Sequence, residues 1–324
     1  MTDLTRRAFV AAAAGAVLMP QRAIAAFPDR PITVIVPYAA GGAGDMITRL
    51  ISNAMEKALG QPIVIDARGG GGGMIGAKAV ASAAPDGHTL MMGATNNFVI
   101  NQFMFPKTSF DPLTEFVPIT RVAVVPSVIY MNPSVPVKSL GEFVAYAKAN
   151  PGKLSYSSPS VGTTPHLAVE RLKQLTGIEL VHVPYRGAPP AMQALITGDV
   201  QLYLAGWGVG RGFVQSGKAR ALAVASTSRL PNVPDVPTAS ESGVPGYVAE
   251  NWWGLAAPKD TPQTAIDALH AAVKAALQDP AVEAKLSELG FLPGGESPAE
   301  FAKAAQAEAI VWRDTIAKGK LAVD

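Results

Sequence analysis

Residues 32–36, Ile-Thr-Val-Ile-Val, form a continuous apolar run rich in β-branched side chains. Such a run fits a strand buried on both faces of a parallel sheet. The period then changes. Met46, Ile47, Leu50, Ile51, Ala54, Met55, Ala58 and Leu59 follow the stripe of an amphipathic helix, and Gly60 closes it. Residues 62–65 read as the next strand, 75–84 as a helix and 89–92 as a third strand. This alternation over the first hundred residues predicts an α/β fold on a parallel sheet.

A second α/β set begins near Ser127. The pattern predicts strands over 128–131, 153–157, 181–185, 200–204 and 220–225. Helices over 140–149, 166–175 and 190–197 lie between them, the last two stopped by Gly177 and Gly198. Residues 230–247 are rich in proline and glycine and read as a crossing segment. Helices follow over 262–278, 280–289 and 298–318. Asp279-Pro280 and Ser297-Pro298 each place a capping residue before a first-turn proline.

The N-terminus reads as an address. Thr5-Arg6-Arg7-Ala8-Phe9-Val10 leads into an alanine-rich apolar run over 11–19, and Ala23-Ile24-Ala25 supplies the small residues of a cleavage site. Paired arginines before a weakly apolar stretch predict twin-arginine export, with cleavage near Ala25 and a periplasmic product.

Composition narrows the classes further. The 324 residues are 48% hydrophobic and 16% charged, which suits a packed core and excludes disorder. The absence of cysteine excludes disulfides, thiolate metal sites, cysteine nucleophiles and a cysteine-linked lipid anchor. Residues 1–26 carry three of the 27 Lys/Arg and one of the 25 Asp/Glu, so the remainder is formally neutral. With no basic run anywhere, nucleic acid is not an expected partner.

Three loops are candidates for holding a ligand. Tyr38, Ala39, Ala40, Gly42, Ala43 and Asp45 lie between the first strand and its helix. Small residues there allow close backbone approach, and the N–H groups at a helix start favour a carboxylate or phosphate. Asp45 is the expected cap. The alternative is a tight turn needing glycine only for geometry. Ser157, Ser158, Gly162, Thr163 and Thr164 form a second strand-to-helix loop, with hydroxyl donors and Pro165 behind a Thr164 cap. In the third, Arg186 beside Gly187 offers a planar fork for a carboxylate, or a surface charge. His166 reads as a ligand contact or a structural group in preference to a general base. Asn96, after the third strand, and Trp207, in a glycine-rich run, complete the candidate set. Of Trp252 and Trp253, at most one is expected to face a ligand.

Other chemistry is rejected. Gly71 to Gly76 matches G-x-G-x-x-G, but Thr95, Asn96 and Asn97 stand where a dinucleotide site needs an acid. Gly212 to Lys218 resembles a phosphate loop, yet Ala219 replaces the magnesium-binding hydroxyl. His88, His166, His182 and His270 show no zinc spacing. Neither a metal nor a cofactor is expected. No G-x-S-x-G elbow occurs.

Several stretches, in order, resemble the periplasmic receptors of tripartite tricarboxylate transporters, the Bug proteins. They include 27–32 (Phe-Pro-Asp-Arg-Pro-Ile), 36–42 (Val-Pro-Tyr-Ala-Ala-Gly-Gly), 85–90 (Pro-Asp-Gly-His-Thr-Leu), 184–191 (Pro-Tyr-Arg-Gly-Ala-Pro-Pro-Ala) and 216–224. The resemblance spans nearly all of the chain after the leader. It implies a two-lobed, type II-like periplasmic-binding-protein fold, with the ligand cleft between the lobes. Residues 26–126 with 237–324 would form one lobe and 127–236 the other. It implies capture of a di- or tricarboxylate or an aromatic acid, without catalysis, and delivery to one large and one small membrane subunit. The receptor is expected to be a monomer, and a sensor protein is a further expected partner class. Two segments depart from the family pattern: 66–72, Asp-Ala-Arg-Gly-Gly-Gly-Gly, and 205–212. The rival function is an exported serine hydrolase, which needs a base beside Ser157, Ser158 or Ser160.

Overall fold

The computed structural model of the protein describes residues 27–108 and 110–323. The expected leader therefore lies outside the described residues. Ten strands form one sheet: β1 (Ile32–Val36), β2 (Ile63–Ala67), β3 (Thr89–Ala94), β4 (Phe116–Met131), β5 (Ser155–Ser158), β6 (Val181–Pro184), β7 (Leu202–Gly206), β8 (Arg220–Val224), β9 (Glu250–Pro258) and β10 (Leu292–Pro293). The longer helices are α1 (Ala43–Leu59), α2 (Met74–Ala81), α3 (Leu140–Ala149), α4 (Thr164–Thr176), α5 (Ala188–Thr197), α6 (Trp207–Gln215), α7 (Gln263–Leu277), α8 (Pro280–Leu289) and α9 (Pro298–Gly319). Among the described residues no helix is long and apolar enough to cross a membrane.

The strand order is β2-β1-β3-β9-β4-β7-β5-β6, with β8 and β10 also on β4. β4 runs through both halves of the molecule. Phe116 to Pro126 pair with β9, antiparallel, while Ser127 to Met131 pair with β7 and β8. The chain crosses back at Ala249/Glu250, beside the first crossing, and the Ser127 amide donates to the Ala249 carbonyl at 3.1 Å.

Each half has a core on both faces of its sheet. Val34 and Val36 pack with Ile47, Ile51 and Met55 of α1 and with Val273 of α7. Ile35, one residue out of phase, packs on the opposite face with Phe98, Trp252 and Phe301. The two-residue period of a strand separates them. In the second half Ile129 and Met131 face α3 and α4, while Val128 and Tyr130 face α5 and α6.

Tertiary packing corrects the sequence reading in three places. Ala239, Val244, Tyr247 and Ala249 lie in the core of the second half, and the Tyr247 hydroxyl donates to the Ala168 carbonyl at 2.8 Å. The second crossing thus follows Ala249, not Val236. The strand expected over 128–131 is the end of a strand starting at Phe116, and residues 250–258 form a strand the periodicity does not reveal. Residues 207–215 are a helix despite three glycines, because tertiary packing overrides weak helix propensity. There Gly210 leaves room for the Tyr130 ring, which a Cβ would overlap.

Candidate functional site

The first loop sits where β1 hands over to α1. Gly42 is the N-cap, extended at φ −80° and ψ 174°, with no side chain capping the helix. Asp45 is not the cap. It lies inside the first turn, accepts from the Gly41 amide at 3.0 Å and pairs with Arg49 at 3.0 Å. Burial of Asp45 opposes its charge, but the bonds from Arg49 and Gly41 prevail and hold its carboxyl below the ordinary value. Tyr38 donates to Asn96 Oδ1 at 2.6 Å, and Asn96 Nδ2 donates to the Gly72 carbonyl at 2.8 Å. Asn96 is fully buried and acts as a bracket for this loop. Burial pushes the Tyr38 hydroxyl well above its usual value, so it stays protonated.

The hydroxyls of the second loop are hydrogen-bonded within the protein. Ser157 donates to the Ala191 carbonyl at 3.0 Å, and Thr163 to the Ser160 carbonyl at 2.8 Å. Thr164 donates to Asn251 Oδ1 at 3.1 Å. These hydroxyl protons are thus taken up within the protein, as is usual for buried polar groups. The N-cap is Thr163, not Thr164, and its side chain does not cap.

Behind this loop lies a stack of rings. His166 and His182 are parallel at 4.0 Å between centroids, and Tyr156 stacks on His182 at 4.8 Å. His166 Nδ1 accepts from the Gly162 amide at 3.2 Å, so a neutral ring carries its proton on Nε2. Burial, aided by the Lys173 charge, pushes His166 down to about 4. Burial, with His166 next in weight, pushes His182 down to about 3.

Ser158 Oγ lies 2.7 Å from His182 Nε2 and 2.9 Å from the Ser160 carbonyl. A serine–histidine pair is therefore present, but Ser158 is fully buried and lines neither cavity described below. No carboxylate is hydrogen-bonded to His182 among the described residues. A base held down to about 3 is poorly matched to neutral pH.

Between the two halves lies a cavity of about 70 Å³. Tyr38, Ala39, Gly42 and Ala43 wall it on one side, and Pro159, Pro165, Gly187 and Ala188 on the other. Val125, Ser127, Tyr203, Ala205, Gly206, Asn251 and Trp253 from β4, β7 and β9, with Val209 of α6, complete it. The first turns of α1, α4, α5 and α6 all reach this space. None has a side-chain cap. By contrast α3, α8 and α9, which start elsewhere, are capped by Ser139, Asp279 and Ser297. The uncapped α7 start lines neither cavity. First-turn N–H groups lack intrahelical partners and carry the positive end of the helix dipole. Pro165, Pro189 and Pro190 have no N–H and leave α5 only that of Ala188, so the α1 and α6 ends supply most of the donors that would suit an anion in this cavity, which has no charged side chain.

Trp253 lines the small cavity. Its Nε1 is buried with no hydrogen-bond partner. Its ring meets Tyr38 edge to face at 5.4 Å and occupies the space a Cβ on Gly44 would need. Trp252, on the other face of β9, instead donates to Glu308 at 2.6 Å.

A larger cavity of about 690 Å³ adjoins the first, walled by Gly69 to Gly73 on one side and Ser160, Tyr185 and Arg186 on the other. Of the candidate residues, Tyr38, Ala39, Gly42, Ala43 and Gly187 thus line the small cavity, and Arg186 lines the large one. Ala40 is exposed and lines neither. Asp45, Asn96, Ser157, Ser158, Gly162, Thr163, Thr164 and His166 lie behind the loops. Trp207 is buried in the core between α5 and α6. Ser127, Tyr203 and Asn251 escaped the sequence reading, since nothing local marks them.

The family described as tripartite tricarboxylate transporter family receptor matches residues 47–321. The protein BugT of Bordetella pertussis is 34% identical over 91% of this chain and 92% of its own. A solved Rhodopseudomonas palustris protein, Rpa4515 with adipate, is 34% identical, with TM-score 0.88 over 91% of this chain and 99% of its own. MatC of Rhodopseudomonas palustris with bound malate is 36% identical, with TM-score 0.84 over 90% and 100% of the two chains.

Proposed function

The chain belongs to the tripartite tricarboxylate transporter receptor family, and on that premise we propose that it captures a small organic carboxylate between its two halves in the periplasm. The observation that carries this reading is the convergence of four uncapped helix N-termini on one small cavity. A carboxylate there replaces the missing caps. Its oxygens accept from first-turn amides and meet four dipoles at once, each worth about 0.3–1 kcal/mol. Trp253 Nε1 gains the partner it lacks.

The magnitudes also assign a role to the walls. A micromolar receptor needs about −8 kcal/mol. Four amide bonds to a charged group supply about 6–12 kcal/mol, and lost freedom of motion takes back at least about 4. Tyr38, Ala39, Val125 and Pro159 add apolar contact to the balance. The relatives bound to adipate and malate are in keeping with an acid of this kind. A Cβ on Gly187 would lie 3.5 Å from that of Ala39, so the two halves meet at this edge of the cleft. Release would go to one large and one small membrane subunit, or the closed form would be read by a sensor. Export rests on Arg6, Arg7 and Ala23-Ile24-Ala25.

The test is a thermal-shift and calorimetric screen of refolded protein against mono-, di- and tricarboxylates, aromatic acids, amino acids, sugars and the matching amides. Binding to N but not U raises the melting temperature with ligand concentration. Saturable binding of acids and none of their amides is expected. Preference for uncharged compounds would overturn the reading.

A further inference from the structure

Leu167 belongs to one half of the molecule and is buried in the core of the other. Its helix, α4, packs Ala168, Val169 and Leu172 into the core of the second half. Leu167 is instead fully buried in the first-half core that holds Trp252, Trp312 and Ile316. Adjacent positions on a helix face different directions, so one helix can serve two cores.

Further contacts surround this seat. In the loop before α4, Val161 packs against the same first-half core. A Cβ on Gly162 would lie 3.2 Å from the Phe105 ring and 3.4 Å from Met104, and the Gly162 φ of 78° is one that side chains rarely adopt. At the other end of α4, a Cβ on Gly319, the last residue of α9, would come within 2.8 Å of Gln174 Nε2. The segment after α9 completes the seat. Leu321 packs against the first-half core, and the Val323 amide donates to the Met104 carbonyl at 2.8 Å. The end of α9 is thereby tied to the residues that Gly162 meets.

The strand crossings near Ser127 and Ala249 already join the halves. The seat of α4 is a third connection. It is non-covalent packing, so it can part while the crossing strands stay paired. Pro165, in the first turn of α4, is a wall of the small cavity. A shift of α4 in its seat therefore moves that wall.

We propose that Leu167 and residues 320–323 form a latch between the halves. It favours the arrangement in which the small cavity has both its walls over one in which the halves stand apart. Parting the latch returns Leu167 to water, which shifts such an equilibrium by about tenfold or more. The latch acts on the halves themselves, whatever molecule the cavity takes.

Distance measurement in the ligand-free, refolded protein tests it. The chain has no cysteine, so label sites are free to be introduced. Asn53→Cys on α1 and Gln193→Cys on α5 are exposed positions on opposite halves. Pulsed electron–electron resonance between nitroxides at these sites reads the separation of the halves. In Leu167→Ala the mean distance should lengthen, and the ratio of short to long distances should fall about tenfold. A chain ending at Gly319 should move the same way, by about threefold. Leu172→Ala removes a leucine from the second-half core and should lower the melting temperature with the ratio unchanged. An unchanged distribution in Leu167→Ala or in the shortened chain would overturn the latch, as would an equal shift in Leu172→Ala. If Leu167→Ala does not fold, the shortened chain decides.

Discussion

Tyr38 donates to Asn96 at 2.6 Å across 58 positions of sequence, tying the first ligand loop to the glycine run through the Asn96–Gly72 bond. Tyr38→Phe leaves the buried Asn96 Oδ1 without that donor. An unsatisfied buried acceptor costs about 1–3 kcal/mol. The urea midpoint of the ligand-free protein should fall accordingly. A midpoint within a few tenths of a kcal/mol of the parent would mean the bond does not hold the loop.

Gly42→Asp separates stability from binding. Gly42 already has the extended backbone of an N-cap, and its Cβ would come no nearer than 3.5 Å to the Ala39 carbonyl. Aspartate there can cap α1, gaining a few tenths of a kcal/mol. Its carboxylate also competes for the amides assigned to the ligand. The expected outcome is an unchanged or raised melting temperature with affinity for the acid at least about tenfold lower. Unchanged affinity would remove the α1 terminus from the site.

Trp253→Phe removes a donor that has no partner in the protein. Loss of a hydrogen bond inside the fold is therefore not part of its cost. If Nε1 serves the ligand, affinity drops by about 1.5–3 kcal/mol, since the bond is to a charged acceptor. Calorimetry reads this directly. Trp252→Phe, which breaks the Glu308 bond, should instead lower stability with little effect on affinity.

The stacked histidines set a pH limit. In the unfolded chain each takes up a proton near pH 6.5. In the fold burial holds His166 down to about 4 and His182 down to about 3. Between those values and 6.5 the unfolded chain binds more protons. Their contribution is complete above pH 6.5 and shrinks as the pH falls toward 4, with a slope of up to about 1.4 kcal/mol per pH unit for each ring. Urea midpoints measured from pH 7 to 5 should fall, and fall less steeply in His182→Gln. A flat profile in the parent protein would show that the stack accepts a proton without loss.

Much of this was readable from local pattern. The apolar run 32–36 and the stripe from Met46 to Leu59 gave β1 and α1, and the loop residues Tyr38, Ala39, Gly42, Ala43 and Gly187 do line the small cavity. What was not readable has a common cause. Trp252 and Trp253 are adjacent and alike in composition, yet they face opposite sides of β9. The Ser157 and Thr163 hydroxyls looked like ligand donors because sequence lists a hydroxyl without its nearest carbonyl. Residues 250–258 have no alternating pattern because the strand is buried on both faces, so its period is hidden.

The sequence by itself determined the α/β alternation, the strand-to-helix loops and the resemblance to the receptor family. Each depends on neighbours in the chain or on short matched motifs. Tertiary structure alone decided which groups meet the cavity. Val125 and Ser127 come beside Asn251 and Trp253 only because β4 and β9 pair in one register. Arg186 comes opposite Gly69 to Gly73 only because the two halves face each other across the cleft. Side-chain direction and hydrogen-bond partner are settled by contacts within about 3–4 Å, and those contacts join residues far apart in the chain: 34 positions for Ser157–Ala191, 58 for Tyr38–Asn96 and 87 for Thr164–Asn251.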